Sequence, residues 1–297
     1  MRLTFHTLDV FTNRRFCGNP LAVVLDADHL STEQMQTITR EFNLSETTFV
    51  MKPDDPANTA KMRIFFPGGE MPFAGHPTLG TAILLAELSN LANIRFELKA
   101  GLTPVQISKT GHVYSGIFTA PIVPFHVDIK LPSVAETAQA LNVAVDDIGF
   151  DGHGIASLEG GPRFFYVPVN SRSALEKSQV REPYWSALIA PLGGVDAAYL
   201  YTRGGDGPNA SFRARMYSPT GGIPEDPATG SATALLAAQL LKAESLKDGT
   251  HTWQLEQGYE MGRPSDLGLE ADVAGGKLIA VRVAGQAVRV MQGTLDY

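Results

Sequence analysis

The chain has 297 residues, 44% of them hydrophobic and 19% charged, which suits well-filled globular cores and excludes a disordered or fibrous protein. Lys and Arg number 24 against 31 Asp and Glu, a net charge of −7, which excludes a nucleic-acid backbone or an anionic membrane as main partner, since both ask for concentrated positive charge. The single cysteine, Cys17, excludes an intrachain disulfide and a structural zinc cluster, and the length suggests about two domains.

The opening Met1-Arg2-Leu3-Thr4-Phe5-His6 lacks the apolar stretch of a secretion signal, and no run reaches membrane-spanning length. A soluble cytoplasmic protein is the expectation. In chain order, apolar alternation predicts strands over 3–10 and 21–25. Ser31-Thr32-Glu33-Gln34 then reads as a capping box, with Met35, Ile38 and Phe42 following at helical spacing. Strands over 47–51 and 61–66 precede a helix over 77–88. Strands over 94–98, 105–108 and 113–118 come next, then a Pro-rich stretch at 119–124 that marks a domain boundary. Beyond it lie strands over 164–169, 197–201 and 211–217, a helix over 228–242, and strands over 251–257, 277–283 and 287–292. The helices at 77–88 and 228–242 are apolar nearly all round, so each should be buried on every side. The fold class expected is α+β, with two sheet-built domains, each wrapped around its own central helix.

The two helical segments resemble each other. His76-Pro77-Thr78-Leu79-Gly80-Thr81-Ala82 lies over Asp226-Pro227-Ala228-Thr229-Gly230-Ser231-Ala232, 150 positions on. A loop with a Gly pair and a glutamate precedes each, at Gly68-Gly69-Glu70 and at Gly221-Gly222-Ile223-Pro224-Glu225. Further upstream the strand endings Arg63-Ile64-Phe65-Phe66-Pro67 and Arg215-Met216-Tyr217-Ser218-Pro219 also match. An internal duplication accounts for this order better than chance composition.

Each helix start places a polar residue, His76 or Asp226, at the cap position and proline at the first helical position. Exposed N–H groups at a helix amino end hold anions, so two such ends facing one cleft could clamp a carboxylate. The plainer alternatives are an ordinary Asp cap and a histidine closing a turn. In Asn43-Leu44-Ser45-Glu46-Thr47-Thr48-Phe49-Val50, a strand would place Glu46 on one face with Leu44, Thr48 and Val50. A carboxylate on an apolar face is paired or used, and desolvation raises its pKa toward a range where it both takes and returns a proton. The alternative is an exposed residue where the strand begins. Metal-site spacings, a phosphate loop at Gly204-Gly205-Asp206-Gly207 and a hydrolase elbow all fail to match. Arg163, in Gly160-Gly161-Pro162-Arg163, could pair with a substrate acid or with a surface carboxylate.

Taken together, Asp9-Val10-Phe11-Thr12, Gly18-Asn19-Pro20-Leu21-Ala22-Val23-Val24, Asn43-Leu44-Ser45-Glu46-Thr47, Phe73-Ala74-Gly75-His76-Pro77-Thr78-Leu79-Gly80, Glu225-Asp226-Pro227-Ala228-Thr229-Gly230-Ser231-Ala232, Gln257-Gly258 and Met261-Gly262-Arg263-Pro264-Ser265 resemble the PhzF family of phenazine-biosynthesis-like isomerases, in family order across essentially the whole chain. The resemblance implies a diaminopimelate-epimerase-like fold of two pseudo-symmetric domains with a cleft between them, and a homodimer. It implies residues 1–120, completed by a C-terminal strand at 284–297, as one domain and 121–283 as the other. It also implies a cofactor-free, metal-free isomerase in which Glu46 moves a proton on a small carboxylated substrate, dihydroanthranilate-like in the best-understood member. His76 and Asp226 would share the catalytic site, and Ser45, Gly75, Gly230 and Ser231 would bind substrate. The related epimerases use a thiol at each helix start; both starts here lack cysteine, which excludes a two-thiol racemase. A racemase using Glu46 opposite Asp226 or His76, and a binding protein without turnover, are the rival readings.

Overall fold

The computed structural model describes residues 2–195 and 197–297; Met1, at the head of the opening segment, lies outside them. The elements, in chain order, begin with β1 (Arg2–Val10), β2 (Asn19–Val24), α1 (Thr32–Phe42), β3 (Glu46–Met51), β4 (Ala60–Phe66) and β5 (Gly69–Met71). They continue with α2 (Gly75–Ser89), β6 (Asn93–Leu98), β7 (Gly101–Thr110), β8 (Val113–Thr119), β9 (Phe125–His126), α3 (Val134–Leu141), β10 (Ala156–Glu159) and β11 (Arg163–Pro168). The remainder are α4 (Arg172–Lys177), α5 (Tyr184–Ile189), β12 (Ala198–Arg203), β13 (Phe212–Ser218), β14 (Ile223–Asp226), α6 (Gly230–Glu244), β15 (Gly249–Gln257), β16 (Ser265–Ala274) and β17 (Lys277–Asp296).

Strand pairing makes two curved sheets that share β17. In the first, β1–β2–β3–β4–β6–β7–β8–β17 closes on itself through β17 pairing with β1, with β2–β3 and β4–β6 parallel. In the second, the order is β17–β16–β15–β13–β12–β11–β10–β9, with β13–β15 and β11–β12 parallel. Its end strands β9 and β17 do not pair among the described residues. Expected as two separate strands, β17 is one 20-residue strand: its start pairs with β16, its middle with β8 and its end with β1.

Each sheet wraps a helix with no polar face, as the composition of these segments predicts. The first ten residues of α2 are all buried, and so are Ala232 through Leu240 of α6. Burial removes water from the whole circumference, which only an apolar helix tolerates. The two helices and the inward faces of both sheets form one continuous core that includes Val10, Leu21, Leu79, Phe118, Leu235 and Leu267. A second core lies outside β11 and β12, where Phe165, Val167, Ala198 and Leu200 pack under α3, α4 and α5 with Trp185.

Several expectations need correction. The three covering helices α3–α5 were not anticipated, although Ser133 and Glu136 form a capping box at the start of α3. Also missed was β16, whose alternation of buried Leu267, Leu269, Ala271 and Val273 with outward residues is a period-two strand pattern. The box at Ser31 and Gln34 is present at the start of α1. The helix starts differ from the expectation. α2 begins at Gly75 and α6 at Gly230, with Ala74 and Thr229 at the cap positions, so neither His76 nor Asp226 is a cap. His76 is the second residue of α2, and Asp226 ends β14. The physical reason is that the first four N–H groups of a helix lack intrahelical partners, so proline is tolerated throughout the first turn and does not fix its first residue. Pro77 is inside α2, whereas Pro227 is in the linker before α6. No helix among the described residues is long and apolar enough to cross a membrane.

Candidate active site

The amino ends of α2 and α6 meet at glycine. A Cβ on Gly75 would stand 3.3 Å from the Gly230 backbone and 3.1 Å from the Phe118 ring, and one on Gly230 would stand 3.0 Å from Phe11. Neither helix carries a side-chain cap. Beside this junction lies a cleft of about 310 Å³, lined on one side by Glu46, Gly75 and His76 and on the other by Asp226, Gly230 and Ser231. Residues predicted from segments 180 positions apart are thus brought together by the approach of two helix ends. Uncapped first-turn N–H groups and the positive ends of two helix dipoles favour an anion here. Phe66, Phe73, Phe164 and Met216 add apolar walls.

Glu46 opens β3, but it is buried rather than exposed, at 8% of its full accessibility. Its Oε2 lies 3.3 Å from His76 Nδ1 and forms no hydrogen bond. Burial, and secondarily the negative charge of Asp226, pushes its carboxyl well above the ordinary range. His76 is driven the other way, down to about 3, because burial penalises the imidazolium; a hydrogen bond with the Pro20 carbonyl offsets this only in part. The ring is therefore neutral at neutral pH, and its Nε2 has no hydrogen-bond partner.

Asp226 is equally buried but well partnered. Asn19 Nδ2 donates to its Oδ1 at 2.8 Å and Thr229 Oγ1 to its Oδ2 at 2.5 Å. Burial raises its carboxyl to about 6, with these two donors pulling in the opposite direction. Gln257 completes the arrangement: Nε2 donates to the Asp226 carbonyl at 2.7 Å and to Thr229 Oγ1 at 3.0 Å, while Oε1 accepts from the Thr229 N–H at 3.1 Å. Asn19, Thr229 and Gln257 were not among the predicted site residues. Their signal was present, since all three fall within the segments that carry the family resemblance, but an uncharged amide or hydroxyl shows no chemical role until its partner is placed.

Ser45 is half-buried just before β3 and is not among the residues lining the cleft. Arg163 does line it, yet its guanidinium binds Glu159 and the Gly193 carbonyl, a carboxylate of the protein itself. The Gly204–Gly207 loop also serves the protein: the N–H groups of Asp206 and Gly207 donate to Glu256 at 2.8 and 2.6 Å. Cys17 is half-buried, and its carbonyl accepts from Arg263.

Comparison with known proteins agrees with this architecture. A family model described as phenazine biosynthesis-like protein (PhzC-PhzF) matches residues 8–293. The chain is 40% identical to an uncharacterized isomerase of Mesorhizobium japonicum, covering 97% of this chain and 96% of that one. It is 35% identical to the trans-2,3-dihydro-3-hydroxyanthranilate isomerase of Pseudomonas aeruginosa, covering 96% of each. Among solved structures, a PhzF-family phenazine biosynthesis protein of Bacillus anthracis superposes with a TM-score of 0.90 at 26% identity over the full length of both chains. A hydroxyproline epimerase of Agrobacterium vitis shares the fold at a TM-score of 0.61 and 15% identity, covering 99% of this chain and 91% of that one.

Proposed function

The chain belongs to the phenazine biosynthesis-like (PhzC-PhzF) family and is an isomerase, and from that premise we propose that it moves a double bond in a small carboxylated substrate by carrying one proton on Glu46. The single observation behind this reading is the isolation of the Glu46 carboxyl. It is buried, faces an uncharged imidazole and has an oxygen with no donor, while Asn19 and Thr229 both donate to Asp226. A carboxyl raised in this way is a stronger base when ionised, which suits a single residue that both takes and returns a proton.

The substrate carboxylate would sit against the first turns of α2 and α6, with Gly75, Gly230 and Ser231 as donors. The reacting carbons would then face Glu46. One group suffices if the carbon that loses the proton and the carbon that gains it lie on the same ligand face. Positioning and acid–base transfer supply the rate. His76, neutral and 3.3 Å from Glu46, would orient the carboxyl.

The test uses the compound named for the 35%-identical relative, trans-2,3-dihydro-3-hydroxyanthranilate, supplied in deuterated water. The expected result is a shifted double bond, with a solvent deuteron at the receiving carbon in those turnovers where the Glu46 carboxyl exchanges its proton with the deuterated water before delivering it. Glu46→Gln should keep binding and lose turnover by a hundredfold or more. Full turnover by the variant would overturn the role of Glu46. Inversion at one stereocentre without double-bond movement would replace isomerisation with epimerisation.

A further inference from the structure

The hydrogen bonds around Asp226 have a fixed direction. Asn19 Nδ2 lies 2.9 Å from the Ala228 carbonyl as well as 2.8 Å from Asp226 Oδ1. A carbonyl can only accept, so the amide cannot be turned over. Gln257 is fixed by the same logic, because its Nε2 faces the Asp226 carbonyl and its Oε1 receives the Thr229 N–H. Gln257 Nε2 also donates to Thr229 Oγ1, which leaves the Thr229 hydroxyl proton one place to go, the Asp226 Oδ2 at 2.5 Å. Both carboxylate oxygens are thus met by donors that cannot reverse.

We propose that Gln257, which never touches the carboxylate, is a positioning residue that locks the Thr229 hydroxyl toward Asp226, so that together with Asn19 it holds Asp226 as an acceptor-only carboxylate and leaves Glu46 as the group free to carry a proton. Gln257 is wholly buried at the end of β15, where pairing with Ala214 and Ser265 fixes its backbone. A proton on either oxygen of Asp226 would weaken the N–H or O–H bond that the oxygen already accepts. Glu46 meets no such obstacle, since its Oε2 has no donor. The two carboxyls share one cleft, yet their hydrogen-bond surroundings differ, and surroundings are what divide roles between neighbouring carboxyls. The charged and titratable groups around Asp226 are Glu46 from β3, Tyr199 from β12, Glu225 beside it on β14 and Arg163 across the cleft on β11; His76 of α2 touches Glu46. None of them changes the direction of the three donors.

This inference rests on the reading of the cleft as the reaction site, but its test does not need turnover. The full chain is labelled with 13C at aspartate carboxyls, and the Asp226 band is identified in infrared titrations by subtracting an Asp226→Asn sample. The wild-type band should titrate near 6. Thr229→Val should move the midpoint up by about one unit, and Gln257→Leu should move it the same way by about half as much. Thr229→Ser, which keeps the hydroxyl, should titrate as wild type. A Gln257 that merely braces the fold would lower the melting temperature of Gln257→Leu and leave the midpoint in place, which would overturn the proposal. If Gln257→Leu does not melt cooperatively, the Thr229→Val and Thr229→Ser pair decides: equal midpoints overturn the lock. Unchanged turnover in Glu46→Gln would defeat the shuttle while leaving this titration intact, so the two failures are distinguishable.

Discussion

The two halves of the molecule use the same scaffold for different chemistry. Gly75 and Gly230 stand 155 positions apart, as do Glu70 and Glu225, and each helix follows its short strand after three residues. Arg63 binds Glu70 as Arg215 binds Glu225, each with its Nε at 2.8 Å from the carboxylate. At matched positions the halves then part. Asp226 corresponds to Met71 and Ser231 to His76. Thr47 faces Phe65 across β3 and β4 as Ala198 faces Tyr217 across β12 and β13, so Glu46 corresponds to Ala197. Met71 and Ala197 also line the cleft. The amino-terminal half contributes Glu46, His76 and the donor Asn19, and the carboxyl-terminal half contributes Asp226, Thr229 and Gln257. The positions matched to Glu46 and Asp226 are thus apolar wall, whereas the position matched to His76 carries Ser231.

The largest expected effect breaks this asymmetry directly. Glu46→Gln should lose a hundredfold or more in turnover, and adding Ala197→Glu to that variant should not restore it, because the new carboxyl would face the substrate from the opposite half. Restoration to within tenfold of wild type, measured by product formation and deuterium incorporation, would show the halves to be chemically interchangeable.

A second comparison sets the two ion pairs against each other by denaturant unfolding. Arg215 is 9% exposed and also donates to the carbonyls of Leu175, Glu176 and Ser178, whereas Arg63 is 24% exposed. Arg215→Met should cost about 3 kcal/mol and Arg63→Met about 1 kcal/mol, since stranding buried partners costs more than losing a half-exposed pair. Equal losses would mean that the carbonyl contacts contribute nothing.

The glycine junction gives a smaller effect. Gly75→Ala meets the Gly230 backbone and Gly230→Ala meets the edge of the Phe11 ring. Backbone yields less than a side chain, so Gly75→Ala should be the more destabilising, by about 1–2 kcal/mol against less than about 1 for Gly230→Ala. Melting curves of the two variants test the order.

The finest test is the pH dependence of stability. His76 titrates at about 3 in the folded chain against 6.5 when free, so the unfolded chain binds the extra proton, and this group's contribution is lost as the pH falls below 6.5. Asp226, at about 6 against 3.8, has the opposite sign: the folded chain keeps the proton, and stability is lost as the pH rises from 3.8 through 6. Glu46 acts in the same sense as Asp226. Between pH 3.8 and 6, His76→Gln should therefore gain stability toward acid relative to wild type, and Asp226→Asn should lose it, each by about 1 kcal/mol per pH unit. Parallel curves for the three proteins would refute the opposed shifts of His76 and Asp226.

Much of this frame was legible in the residues. The all-round apolar character of the two central helices dictates burial, because no surface position rewards Leu, Ile and Ala on every side. The matched Arg, Gly-Gly and Glu segments announce the duplication, and the grouping of Glu46, His76, Asp226, Gly75, Gly230 and Ser231 follows from segments that resemble a known family. The offset differs between sequence and structure, however. Matching proline to proline set His76 over Asp226, whereas the chain matches Gly75 to Gly230, and proline marks a first turn without counting its residues.

Local sequence also determined the capping boxes, the strand periods and the lack of a thiol at either helix start, because each depends on residues within one turn or one hairpin. Only the tertiary structure decided which carboxyl is bare and which is saturated. Asn19 reaches Asp226 from 207 positions away and Gln257 reaches its carbonyl from 31. A carboxyl's proton affinity is set by the burial and donors that long-range packing brings to it, and no local pattern records those.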